Sequence, residues 1–174
     1  MSSVPDVLTH VLVGYVIGML LSVRHEGVRP AHVTLVMIGA LSPDFAKIQL
    51  FVPDGLVAAV LSVSFSWSPL HTLTGTVLVV CLGALLAAPG CRRLVIALLV
   101  IGALSHHALD LLLMTPTGEA YGVFWPITEY RLPAGGLYLS SDRWPALVSG
   151  LAAIGAWALA RRYRPAEMDS HALE

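Results

Sequence analysis

Charge is the first thing this sequence lacks. Only 12% of its 174 residues are Asp, Glu, Lys or Arg and 56% are hydrophobic, whereas soluble domains carry roughly 25% charged residues. An ordinary water-soluble surface is thereby excluded. The net charge of −1 supplies no basic field, so neither DNA nor RNA is expected as a partner. Cysteine is almost missing too: Cys81 and Cys91 fall mid-helix and in a turn, where a disulfide or a paired-thiolate site is hard to build. Two inert thiols are expected. There is no Walker or dinucleotide-type glycine loop, and Ser62, Ser64, Ser66 and Ser68 form no nucleophile elbow. Finally, no basic residue precedes the first apolar run and its positive charge follows it, so that run is expected to stay uncleaved.

Long apolar runs are what the chain does have. Val7 to Val23, Val33 to Val52, Leu73 to Ala88, Leu94 to Met114 and Pro145 to Ala160 each approach the roughly 17–25 residues that cross a bilayer. The expected fold class is an all-α integral membrane helical bundle of about five transmembrane helices. The second run contains Ser42-Pro43-Asp44 and Lys47; proline disrupts a helix interior and disfavours helical geometry just before it, so a helix ending near Ser42 and then irregular backbone is expected. Gly55 to Phe65, about 16 Å long as a helix, is too short to cross and reads as an interfacial or re-entrant helix. Thr115 to Trp144, broken by Pro116, Gly118, Pro126, Pro133, Gly135 and Gly136, reads as an ordered loop. Its Tyr121, Trp125, Tyr130, Tyr138 and Trp144 suit a membrane-interface belt.

Basic residues set the expected orientation. Arg24, Arg29, Arg92, Arg93, Arg161, Arg162 and Arg164 cluster on one side and Lys47, Arg131 and Arg143 on the other, which puts the amino terminus outside and the carboxyl terminus in the cytoplasm. Residues 1–160 then form one transmembrane domain, and 161–174 a charged cytoplasmic tail. Gly14-Tyr15-Val16-Ile17-Gly18 is a small-residue helix-packing pattern, with Gly75, Gly83, Gly102, Gly150 and Gly155 allowing similar close approach.

This topology brings His10, Asp44, His71, His106 and Asp110 to one membrane face, although it was drawn from basic residues alone. Ionisable groups inside a span cost about 2.5–3.5 kcal/mol each at its centre and usually mark function. His106 and Asp110, four residues apart, project from one helix face and suit a metal as paired ligands. They could equally pair with each other; Asp44 could merely cap a turn, and His10 or His71 alone could be a hydrogen-bonded packing residue. His107 points about 100° away from His106 and is expected to line the cavity or bond a neighbouring helix. His25, His32 and His171 fall on the cytoplasmic side or in the tail. Neutral histidine with carboxylate is the ligand set of zinc and its neighbours, so the expected cofactor is a divalent metal, zinc first and manganese as alternative.

The order Thr9-His10, Pro43-Asp44, Leu70-His71-Thr72, Gly102-Ala103-Leu104-Ser105-His106 with Asp110, then Thr115-Pro116-Thr117-Gly118 and Trp125-Pro126 resembles the YdjM-like, LexA-regulated family of membrane-bound, metal-dependent hydrolases. The resemblance spans roughly residues 7 to 127. It implies hydrolysis by a metal-activated water, with no particular substrate. Two positions depart from the family pattern: Ala46 stands where a second aspartate is common, and Ser66-Trp67 where a His-Arg pair is common. The remaining residues still suffice for one metal.

The expected function is hydrolysis of a lipid phosphodiester or ester, with membrane lipids as partners and a lipid or other amphiphile as substrate. His71, His106 and Asp110, with His10 or Asp44, would hold the metal, and an unbound Asp44 would serve as general base. The alternatives are a non-catalytic membrane scaffold and an ion-coupled transporter. Transport fits less well, because transporters place such groups near the midplane between structural repeats and this chain shows no obvious repeat.

Overall fold

The computed structural model describes residues 4–163. Six α-helices follow in chain order: α1 Val4–Arg24, α2 Val33–Leu41, α3 Asp54–Leu61, α4 Leu73–Leu86, α5 Arg92–Asp110 and α6 Trp144–Tyr163. Short 3₁₀ segments Pro30–His32, Ser42–Leu50, Ser68–His71 and Pro89–Cys91 link them. Among the described residues there is no strand, only the isolated bridges Leu113 to Tyr138 and Glu119 to Pro133. The all-helical expectation holds. The part of the expected tail beyond residue 163 lies outside the described residues.

Three segments, Asp6–Arg24, Pro30–Leu50 and Pro89–Asp110, are long and apolar enough to cross a membrane. Two expected spans differ from these. Helix α4 has only 14 residues, roughly 21 Å at 1.5 Å per residue and short of a hydrocarbon core about 30 Å thick. Helix α6 has 20 residues, but Arg161 and Arg162 occupy its last turn. The second span also departs from expectation after Ser42. Helix α2 ends at Leu41, where Pro43 removes a backbone donor, yet the chain stays wound as a 3₁₀ helix over Ser42–Leu50. That tighter winding aims Asp44 inward, where it is buried.

Helix α1 packs against α2 and α6, and α5 packs against α2 and α4. One cluster joins Met19, Val33, Ala156 and Ala160, and another joins Val28, Val36 and Leu98. Glycine sets the closest approach. A Cβ added to Gly102 of α5 would run into the Val36 carbonyl of α2, and one added to Gly39 of α2 would run into the Leu99 carbonyl of α5. On α1, a Cβ at Gly14 would lie 2.8 Å from the Ala40 Cβ. The three helices therefore meet backbone to backbone, as small residues permit inside membranes.

The long loop after α5 is ordered because it folds back and satisfies the carbonyls of the turn that follows that helix. Gly135 N donates to Leu111 O at 2.6 Å, Leu137 N to Leu112 O at 2.8 Å and Gly136 N to Leu113 O at 3.3 Å. Tyr138 corrects one expectation. Tyr121, Trp125, Tyr130 and Trp144 are exposed as a belt requires, but Tyr138 is buried, and its hydroxyl donates to Leu109 O at 3.1 Å. Short α3 fits the interfacial reading, since its Leu56, Val60 and Leu61 are all exposed.

Candidate metal centre

Helical spacing of four residues organises the site. On α1, Asp6, His10, Gly14 and Gly18 share one face; on α5, Gly102, His106 and Asp110 do. The glycines press the helices together, and the polar residues one turn further on are therefore forced to meet. His10 and His106 are both 0% exposed and Asp110 is 3% exposed. The imidazoles of His10 and His106 stack, ring centroids 3.8 Å apart.

Three ligand-type atoms form a nearly equilateral triangle. His71 Nε2 lies 3.2 Å from Asp110 Oδ2 and 3.2 Å from His106 Nε2, and His106 Nε2 lies 3.4 Å from Asp110 Oδ2. Zinc bonds of about 2.0–2.1 Å in a tetrahedron put neighbouring ligand atoms about 3.3–3.4 Å apart, so the triangle has the dimensions of one ligand face. The tautomer agrees. His106 Nδ1 is 2.8 Å from Ala40 O, an oxygen that can only accept, so Nδ1 carries the proton and Nε2 of the neutral ring keeps its lone pair.

Asp44 approaches the triangle from the 3₁₀ helix, its Oδ1 4.0 Å from His71 Nε2. Both Asp44–His71–His106 and His10–His106–Asp110 bring their ligand atoms close enough for a metal. All five residues singled out in the sequence thus converge. His107 takes the separate role its direction suggests, with Nε2 2.9 Å from Thr76 Oγ1 of α4.

Two members of the cluster escaped sequence reasoning. Asp6 Oδ1 lies 3.4 Å from His10 Nε2; its spacing from His10 mirrors that of His106 and Asp110 and was the available signal. Lys47, grouped by sequence with the basic residues outside the bundle, folds inward to 2.6 Å from Asp44 Oδ1 and 3.7 Å from Asp6 Oδ2. Nothing in its neighbourhood in the chain announces that contact. Of the three buried carboxylates Asp6, Asp44 and Asp110, Lys47 pairs with the first two, while Asp110 faces His10, His71 and His106. Three carboxylates against one ammonium leave the acidic and basic side chains of the cluster with two negative charges in excess, an expensive state at this burial that one divalent cation would cancel.

A cavity of about 1070 Å³ opens beside the site, lined by Lys47, His71, Thr72, Tyr121, Trp125 and Arg131 among others. The Tyr121 ring stands 5.0 Å from that of His71. Partial burial first, then the carboxylates of Asp110, Asp6 and Asp44, hold its phenol above the usual value. Tyr121 therefore stays a neutral O–H donor at physiological pH.

Membrane-length helices closed around a buried histidine and aspartate cluster define an integral membrane protein with a polar intramembrane centre. Residues 6–169 match the YdjM inner membrane protein family, and the chain belongs to that family. No curated protein and no solved structure matches it.

Proposed function

We propose that this protein is a metal-dependent hydrolase of the membrane, acting on a phosphodiester or ester of a lipid or similar amphiphile. The observation that carries the reading is the triangle of His71 Nε2, His106 Nε2 and Asp110 Oδ2, with edges of 3.2, 3.2 and 3.4 Å. These three residues would hold the metal, zinc or manganese. Such an ion would lower the pKa of a bound water towards 7 and polarise the scissile group.

The chain's own residues supply the rest. Asp44 Oδ2 is buried without a hydrogen-bond partner, which leaves it free to take a proton from water. As the water oxygen bonds to phosphorus or carbonyl carbon and the bond to the leaving alcohol breaks, Asp44 passes that proton to the leaving oxygen. Lys47, at 2.6 Å from Asp44 Oδ1, keeps the carboxylate oriented. The neutral Tyr121 hydroxyl offers the cavity a donor. Phe45, Ile48, Phe51 and Leu56 around the 3₁₀ helix and α3 are exposed, so acyl chains could remain in lipid while a headgroup enters. In this reading the cavity opens to the outer leaflet, with the carboxyl terminus cytoplasmic.

The test is metal content, by mass spectrometry on detergent-purified protein, beside turnover of phospholipid vesicles. Wild type is expected to hold at least one tight divalent ion per chain and to show chelator-sensitive hydrolysis. A folded His106→Ala, Asp110→Ala double variant should lose both. Wild-type protein that holds no metal after supplementation would sink the mechanism and leave a scaffold.

A further inference from the structure

The triangle leaves one part of the cluster without a role. Asp110 divides its two oxygens: Oδ2 faces His71 and His106, while Oδ1 turns away to His10 Nε2 at 3.3 Å. Asp6 Oδ1 lies 3.4 Å from the same nitrogen. His10 is wholly buried, yet neither of its ring nitrogens has a hydrogen-bond partner among the described residues, and neither does Asp6 Oδ1. Asp6 itself is only 7% exposed. Buried polar atoms are very seldom left this way.

Two accounts compete for this group. In the first, protonated His10 simply pairs with the two aspartates. Charge-assisted N–H···O bonds are about 2.7–2.9 Å long, and both separations here exceed that by several tenths of an ångström. In the second, the three atoms flank a common centre. The two separations from His10 Nε2, 3.4 and 3.3 Å, match the roughly 3.3–3.4 Å expected between neighbouring ligand atoms around one small divalent ion.

We infer that Asp6 Oδ1, His10 Nε2 and Asp110 Oδ1 form a second divalent-cation site, making Asp110 the bridge of a two-ion centre. The inference rests on the first site proposed above and adds Asp6 to the ligand set. Lys47 ties the halves together, since its ammonium reaches Asp6 Oδ2 and Asp44 Oδ1 and leaves Asp6 Oδ1 turned towards His10. The first ion cancels the cluster's excess of negative charge, so the second adds positive charge that nothing there balances and binds more weakly. Paired ions bridged by a carboxylate suit phosphoester cleavage, because they clamp both the attacking and the leaving oxygen.

The experiment is a Mn²⁺ titration of full-length, chelator-stripped protein in detergent, reading bound manganese per chain by mass spectrometry and pairing by low-temperature electron paramagnetic resonance. Two equivalents are expected, the second at least tenfold weaker, with an exchange-coupled spectrum appearing as it fills. Asp6→Asn should abolish the second equivalent and the coupling while leaving the first within about threefold. Saturation at one uncoupled equivalent overturns the second site and leaves the first standing; no binding overturns both. Loss of both equivalents in a folded Asp6→Asn protein also overturns the assignment, by placing Asp6 in the first site. Should that variant fail to fold, wild-type stoichiometry and coupling still decide.

Discussion

Replacing Gly102 by alanine perturbs the site without touching any ligand. The added Cβ would collide with the Val36 carbonyl and come within 2.7 Å of the Ala40 backbone nitrogen, so α5 must move away from α2 by about an ångström to restore contact distances. Overpacking of this kind costs about 1–3 kcal/mol. The shift falls on the 2.8 Å bond from His106 Nδ1 to Ala40 O, which lies one turn along the same seam. Losing a partner that orients a metal-binding histidine lowers metal affinity by about 10–100-fold, or about 1.4–2.8 kcal/mol at 1.4 kcal/mol per decade. The assay is competitive metal titration with thermal unfolding in detergent. Gly155→Ala is the control, because a Cβ there meets nothing within 4 Å and alanine favours helix over glycine. Equal metal affinity in Gly102→Ala and wild type would refute the claim that glycine packing sets the site.

Three further outcomes follow from the same geometry. Asp44→Asn should retain the first metal and lose about 10²–10⁴-fold in turnover, the usual contribution of a general base, as read by steady-state hydrolysis beside metal content. Lys47→Met removes the cation at 2.6 Å from Asp44; metal affinity should rise by about tenfold as repulsion of the incoming ion disappears, while the metal-free protein unfolds at lower temperature. Tyr138→Phe should cost about 1 kcal/mol through the lost bond to Leu109 O. Burial, then the charges of Asp6 and Asp110, raises the Tyr138 phenol above its usual value, so the folded state keeps a proton that the unfolded state releases. Stability of the wild type should therefore fall as pH climbs past about 10, and unfolding scans of Tyr138→Phe should show a shallower decline.

Composition and the apolar runs were enough to determine the solvent and the all-helical class. Apolar runs of membrane length admit little but helices, because backbone groups in hydrocarbon must be satisfied within their own segment. Pro43 ended α2 where the sequence indicated. Four of the five site residues were legible because an ionisable side chain in such a run is costly and needs a reason to be there; His71, just before the third run, was brought to them by the expected topology. Asp6 and Lys47 were not: Asp6 stands just before the first run, where a charge is cheap, and Lys47 lies in the stretch after Ser42 that was expected to be irregular.

Tertiary structure alone decided the rest. Which atom of which side chain meets another depends on how closely the helices approach, and Gly14, Gly39 and Gly102 set that through contacts between residues far apart in the chain. The Ala40 carbonyl that fixes the His106 tautomer belongs to the backbone and has no sequence signature. The same is true of the divided carboxylate of Asp110: spacing placed it on the face of His106, but only the packing of α1 against α5 brought its second oxygen to His10.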